Sequence, residues 1–440
     1  MPEWRNWSGL ESATPGHVVT PRSPGEVITA VTSAAEAGRR VKMVGTGHSF
    51  TGISAPVSGN AGVMLSPTAM TGILAVDRDA MTVTAAAGTQ LKHLNAALES
   101  LGLSLHNMGD IAEQTLAGAI STGTHGTGGL RAGLGAQVAG LEMVTADGEL
   151  VAVTEEDGEL LDLVRVGLGA VGIIVSVTFR VEPLFGLRAT ETPMAWDEFV
   201  GSFTDLIADD GAGRSTHVDA YWFPHSDRVA TKRNVRVELD ELDPLPGWKA
   251  WLDDDFMQNT LFGALCRTTN RFPRAIPRAN RFAASQLAHR TYADVAHKVF
   301  VAERRVVFRE MEYAVPLESG LDVLEECRRA VEASDLRINF PVELRVGRAE
   351  SPALSTAHGR DSLYLAFHTH AEVDHRPYFA LIEPILAAAD GRPHWGKVHT
   401  RTAAEFADLY PRFNEFVALR DRLDPRRVFS NAYLERVLGS

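Results

Sequence analysis

At 440 residues and 47.7 kDa the chain exceeds what a single compact core ordinarily organises, so two domains are predicted. Its 45 % apolar and 22 % charged residues are those of a globular protein, and a formal net charge of −13 argues against a nucleic-acid partner, which would need clustered Lys and Arg. The two cysteines, Cys266 and Cys327, lie far apart and exclude a disulfide framework, so reduced thiols and a cytoplasmic location are expected.

The opening MPEWRNWSGLESATPG has no apolar core behind a basic start, so no secretory signal is expected. Ser23-Pro24-Gly25-Glu26 followed by VITAVTSAAEAG reads as a capped helix, and RRVKMV (Arg39 to Val44) as a strand running into VGTGHSF. Strands are predicted at Gly72 to Asp77 and Met81 to Gly88, with a helix at Thr89 to Gly102. The nearly all-apolar VGLGAVGIIVSVTFRV (Val166 to Val181) reads as a buried strand entered by a glycine turn. Its uninterrupted part is too short for the roughly 20 residues of a membrane span.

After Arg180-Val181-Glu182-Pro183 the texture changes. The stretch from Asp243 to Phe308 carries Arg267, Arg271, Arg274, Arg278 and Arg281 and reads as a basic helical insertion: a solvated surface, or a contact with a subunit or a membrane surface. Strands return at RINFPVELRVG (Arg337 to Gly347) and SLYLAFHTHAEV (Ser362 to Val373). A helix near Glu405 to Leu423 leads into DPRRVFSNAYLERVL.

Neither glycine loop is a standard phosphate fingerprint. In VGTGHSF, Gly45 and Gly47 fit a dinucleotide loop, but Phe50 stands where the third glycine belongs and no helix pattern follows. In AGAISTGTHGTGG (Ala117 to Gly129), Gly118 and Gly123 have P-loop spacing, but Thr124-His125 replace the phosphate-reaching lysine and its Ser/Thr. Both still offer backbone N–H groups that glycine lets approach an anion closely, so together they could hold a pyrophosphate.

Four separated motifs coincide: VGTGHSF, the run from Asn107 to Gly128 (NMGD to STGTHGTG), GLGAVGII (Gly167 to Ile174) and HWGK (His394 to Lys397). In combination they resemble the vanillyl-alcohol-oxidase type of flavoprotein, in its sugar-lactone and polyol branch of gulonolactone, arabinonolactone and alditol oxidases and dehydrogenases. The resemblance covers nearly the whole chain. It implies an α+β, two-domain FAD-binding fold of the PCMH type: a cofactor domain over 1–183, a mixed-sheet substrate (cap) domain over 184–404, and a segment over 405–440 returning to the first.

The resemblance also implies roles. His48 matches the histidine that joins covalently to the flavin, a bond a neutral imidazole is competent to make and one that renders the flavin more oxidising. Gly45, Thr46, Gly47, Ser49, Phe50, Gly109, Asp110, Gly118, Thr122, Gly123, Thr124, His125, Gly172, Ile173 and Asn431 are the further positions expected to hold FAD. Glu343 and Arg345, at i and i+2 in a strand pattern, share one face. With Lys397 they match the catalytic set: two cations to stabilise charge on the reacting oxygen, and a carboxylate to orient a hydroxyl or accept its proton. Asp110, His368, His370 and His394 are expected to meet the substrate. Asp110 departs from the serine of the alditol oxidases, against a simple polyol. His368, His370 and Glu372 lack a convincing third metal ligand, so no metal is expected.

The activity the resemblance implies is oxidation of an aldono-1,4-lactone by hydride transfer to the flavin, with O2 as acceptor and H2O2 as product; Gly109, at the family position where a small residue leaves room for oxygen, leans this way. The alternatives are an alditol oxidase, a lactone dehydrogenase using a cytochrome or quinone, and a noncatalytic flavin carrier. The carrier would not need Glu343, Arg345 and Lys397. No hydrolase motif is present.

Overall fold

The computed structural model describes residues 3–128, 133–208 and 216–440; Gly129 of the second glycine loop lies outside them. Three parallel strands, β1 (Pro15–Val19), β2 (Arg40–Met43) and β3 (Gly59–Leu65), form a sheet in the order β1-β3-β2. Helix α1 (Pro24–Glu36) supplies the β1 to β2 crossover. It starts as its sequence dictates, with Ser23 Oγ accepting from the Glu26 N–H at 3.3 Å and Pro24 in the first turn, and it buries Val27 and Val31 against the sheet.

A second, antiparallel sheet contains β4 (Ile73–Asp77), β5 (Thr82–Ala86), β6 (Val138–Val144), β7 (Leu150–Thr154) and β8 (Ile173–Arg180), in the order β7-β6-β8-β5-β4. Helices α2 (Leu91–Ser100) and α3 (Leu116–Ser121) add Leu91, Leu94, Leu116 and Ile120 to its core.

From Gly186 the chain builds an eight-stranded antiparallel sheet: β9 (Gly186–Ala195), β10 (Thr216–Trp222), β11 (Arg228–Val237), β12 (Arg290–Val295), β13 (Phe308–Pro316), β14 (Val342–Gly347), β15 (Ser362–His370) and β16 (Arg392–Pro393). Their order is β12-β9-β11-β10-β14-β15-β13-β16. One face is apolar. Ala220 and Trp222, Met311 and Tyr313, Val342 and Leu344, Leu365 and Phe367 pack there beneath α4 (Trp196–Ile207). The opposite face carries the alternate residues, charged and nonetheless buried.

The basic stretch is helical only in part: α5 (Phe262–Arg271) and α6 (Ile276–Ser285) form a hairpin, but residues 290–295 join the large sheet as β12, where Thr291 and Tyr292 favour a strand. Helices α7 (Gly320–Ala333) and α8 (Arg376–Ala388) complete the apolar cover of the sheet. The strand expected from Arg337 begins only at Val342, after Pro341, which has no N–H for a ladder. The helix expected over 405–423 is two, α9 (Ala403–Leu409) and α10 (Phe413–Leu423), because Pro411 interrupts it. Phe406, Tyr410, Phe416 and, from α11 (Ala432–Leu438), Leu434 and Val437 join the core of the antiparallel five-stranded sheet. No helix among the described residues is long and apolar enough to cross a membrane.

Candidate active site

Backbone bonds join the motifs in two pairs, VGTGHSF with HWGK and GLGAVGII with the second glycine loop, and tie that loop to β10. Phe50 N–H donates to Gly396 O at 2.6 Å, Leu168 N–H to Ser121 O at 3.1 Å, and Val218 N–H of β10 to Thr127 O at 3.2 Å. Thr51 Oγ1 donates to Trp395 O at 3.0 Å. Gly45 has no room for a side chain, since a Cβ there would stand 2.3 Å from Thr115 Oγ1; Gly47 turns at φ +72°.

An open groove runs between the loops. Of the positions expected to hold the cofactor, Gly45, Thr46, Gly47, His48, Ser49, Gly118, Thr122, Gly172 and Ile173 line it, together with Thr115, Gly169 and Lys42. A glycine-walled slot of this kind, with backbone N–H groups from three loops, fits a dinucleotide with a pyrophosphate. Lys42 was not foreseen. Its buried ammonium donates to Phe429 O at 3.1 Å and Gly169 O at 3.3 Å, and burial, partly offset by Asp424, lowers its pKa to about 7.

Other expected cofactor positions lie away from the groove lining. Asn431 caps α11 through Oδ1, and its Nδ2 reaches the carbonyls of Gly52, Ile53 and Ala55 at 2.8 to 3.2 Å, so its side chain is committed within the chain. Phe50 is buried under Lys397, whose Nζ stands 5.1 Å from the ring centroid. Gly123 adopts φ +75°, and Thr124 meets Gln114. A Cβ on Gly109 would come within 3.1 Å of both His125 O and Thr124 Cγ2, a tight approach that glycine avoids.

The polar face of the large sheet gathers the remaining residues. Register sets Asp219 opposite Arg345 and Tyr221 opposite Glu343. Glu343 Oε1 accepts from Arg345 Nε at 2.8 Å, Arg345 Nη2 at 2.5 Å and Tyr221 Oη at 2.8 Å. Arg345 also meets Asp110 Oδ1 at 3.2 Å and Asp219 Oδ1 at 3.3 Å, while Arg304 Nη2 holds Asp110 Oδ2 at 2.8 Å. Although burial opposes ionisation, Arg345 and Arg304 keep the Asp110 carboxyl far below its usual range. For Asp219 burial prevails over Arg345, and its pKa rises to about 6.

Two strands away, Glu310 and Glu312 of β13 lie on the same face. Lys397 Nζ meets Glu310 Oε2 at 2.5 Å, His368 Nε2 lies 3.6 Å from Glu310 Oε1, and His125 Nε2 3.1 Å from Glu312 Oε1. Burial pulls the Lys397 pKa down, but Glu310 and Glu312 outweigh it and hold it above the ordinary lysine value. Lys397 acts in turn on His48: burial lowers the imidazole pKa, Glu113 partly opposes this and Lys397 adds to it, so the net shift is downward and the ring is neutral at pH 7. The charge of Asp110 is felt at Lys397 too, which joins the two ends of the site.

His394 is buried, its pKa lowered by burial to about 3, and its Nδ1 accepts from Gly396 N–H at 3.0 Å. His370 stands apart, bonded to Asn270 of α5 at 3.1 Å. The metal-like grouping among the described residues is not His368, His370 and Glu372 but His125, Glu312 and His394, whose ligand atoms lie within 4.8 Å of one another. Glu310, Glu312, Asp219, Tyr221 and Arg304 were missed from the sequence, although FREMEYAVP (Phe308 to Pro316) shows the same polar alternation as VELRV.

Residues 177–437, more than half of the chain, match the family described as D-arabinono-1,4-lactone oxidase. The chain belongs to this family. Residues 15–154 match the FAD binding domain. The L-gulono-1,4-lactone dehydrogenase of Mycobacterium tuberculosis is 38 % identical over 438 residues, covering 100 % of this chain and 99 % of that protein. The L-gulonolactone oxidase of Mus musculus is 31 % identical, with 99 % and 98 % covered, and the alditol oxidase of a Streptomyces strain 29 % identical, with 98 % of each. The fold is that of cholesterol oxidase from Brevibacterium sterolicum, at a TM-score of 0.82, 16 % identity and coverage of 99 % and 96 %. The chain is thus an FAD-dependent oxidoreductase of the sugar-lactone branch, with the two-part α+β fold that the four motifs imply.

Proposed function

We propose that the protein oxidises a hydroxyl-bearing carbon of an aldono-1,4-lactone such as L-gulono-1,4-lactone, passing the electrons to O2 with release of H2O2. The observation that carries this reading is the buried charged face on which Glu343 and Arg345 stand, with Lys397 beside it. FAD, when bound, supplies the hydride acceptor. Residues 1–183 with 405–440 would hold it, and 184–404 would present the substrate; the glycine-walled groove and His48, the expected covalent attachment point, support that division.

Within this reading each residue has a physical task. Lys397 remains an ammonium because of Glu310 and Glu312, so it stabilises negative charge on the reacting oxygen and is not the base. Arg345, fixed by Glu343, Asp110 and Asp219, presents a guanidinium of set orientation. Glu343 Oε1 already takes bonds from Arg345 and Tyr221. Its Oε2, 3.9 Å from Arg304, is the oxygen left to accept the substrate hydroxyl. Asp110 and His368 would face the sugar. The free, buried Cys266 and Cys327 accord with a cytoplasmic location.

The test is an anaerobic titration of purified protein with L-gulono-1,4-lactone and with xylitol, followed by admission of air. Bleaching of the flavin by the lactone, with rapid recolouring and peroxide, is expected. Bleaching without recolouring would make the protein a dehydrogenase, the activity in the name of the Mycobacterium relative. Bleaching by xylitol alone would overturn the substrate. Arg345→Ala should slow reduction by about 10²-fold or more while the flavin stays attached.

A further inference from the structure

The hairpin of α5 and α6 has no task in lactone oxidation, yet its surface is unlike the rest of the molecule. With 56 acidic residues in 440, about one position in eight is Asp or Glu, but residues 256–293 contain none. Arg267, Arg271, Arg274, Arg278 and Arg281 all stand exposed there, and among the described residues none forms an ion pair with a carboxylate. Arg267 and Arg271 are four residues apart on α5, a spacing that sets like charges side by side, and Arg274 and Arg278 follow in the turn and on α6.

Aromatic side chains project from the same hairpin. Phe272, in the turn between the helices, is 63 % exposed, and Phe282 is 68 % exposed. Arg278 lies one turn before Phe282, so cation and ring share a face. The hairpin displays them rigidly. Cys266 of its inner side packs against Phe50, Phe308 and Phe340, and Asn280 Nδ2 donates to Pro224 O and Ile338 O at 2.8 Å each.

Arginine with protruding phenylalanine is the chemistry of an anionic bilayer surface: headgroup phosphates pair with guanidinium, and rings sink to the level of the headgroups. We propose that the α5–α6 hairpin docks the protein on the surface of an anionic phospholipid membrane, with Phe272 and Phe282 inserted and the arginines on phosphate. Because the hairpin packs against Phe50, which lies under Lys397, docking would set this side of the active site toward the interface.

The experiment is co-sedimentation of the flavin-loaded protein with vesicles of phosphatidylcholine alone and of phosphatidylcholine mixed with phosphatidylglycerol. Binding to the mixed vesicles only is expected. It should be lost as salt shortens the Debye length from about 10 Å at 0.1 M to about 3 Å at 1 M. The triple variant Arg271→Glu, Arg274→Glu, Arg278→Glu should weaken partitioning by roughly fivefold or more for each arginine lost. Phe272→Ser with Phe282→Ser should weaken it while leaving its salt dependence in place. Both variants change exposed residues, and unaltered melting and lactone turnover in solution would show them folded. Equal binding to both vesicles, no binding, or binding unmoved by the variants would overturn the proposal. So would a dimer seen by light scattering that the same variants dissociate, which would assign the face to a second copy.

Discussion

At the scale of single residues, one carboxylate of the charged face, Asp219, is placed there at a cost in stability. Asp110, Asp219 and Glu343 crowd around Arg345 and Arg304, and Asp219 is the carboxyl whose pKa burial raises, to about 6. An unfolded Asp titrates near 3.9. Between these values the folded protein holds a proton that the unfolded chain has released, so the contribution of Asp219 is most favourable at acid pH and is lost as pH rises through 6. Asp219→Asn, which mimics the protonated form, should therefore stabilise the fold by about 2–3 kcal/mol at neutral pH and by almost nothing near pH 4. Urea unfolding at the two pH values measures this, and a pH-independent difference would count against it. Since Arg345 loses one of its three carboxylates in this variant, lactone turnover at neutral pH should fall although the protein is more stable.

At the scale of elements, what the sequence made legible was local. Ser23 and Pro24 announced α1, and the alternation of VELRV put Glu343 and Arg345 on one face because a strand has a period of two whatever its neighbours. Glu310 and Glu312 had the same signal, but a basic stretch read as helical up to Phe308 masked the start of β13. Asp219 and Tyr221 were beyond reach: what makes them part of the site is their register against β14, a pairing of residues more than 120 apart in the chain. Asn431 shows the converse. Asn431, expected at the cofactor, ties the C-terminal helix to the loop after VGTGHSF, as helix cap and as donor to the Gly52, Ile53 and Ala55 carbonyls. Asn431→Ala removes the cap and leaves these buried carbonyls without that donor, a loss of about 2–4 kcal/mol. The urea midpoint should drop with an unchanged slope; a shift within error would mean that water or a neighbour replaces the amide.

At the scale of the whole molecule, the groove is where distant parts of the chain converge. Lys42 of β2 reaches Gly169 O in the third glycine motif and Phe429 O in the C-terminal segment, and the loop of His48 is bonded to Gly396 of the HWGK turn. A ligand seated there would stabilise the folded state by RT ln(1 + [L]/Kd), about 2.7 kcal/mol at a hundred times Kd, and the gain would fall away on dilution. A covalently attached flavin cannot be diluted out. If His48 carries it, the melting temperature of the loaded wild type is independent of protein concentration, and acid-precipitated protein stays yellow. His48→Ala should fold and take up FAD, but release it to acid and melt at a temperature that rises with added FAD. Burial that keeps His48 neutral leaves one of its two ring nitrogens free of a proton at pH 7, the state that attachment requires. Release of the flavin from wild type by acid would overturn the attachment at His48 while leaving FAD as the cofactor, since the groove lining and the family assignment do not depend on that bond.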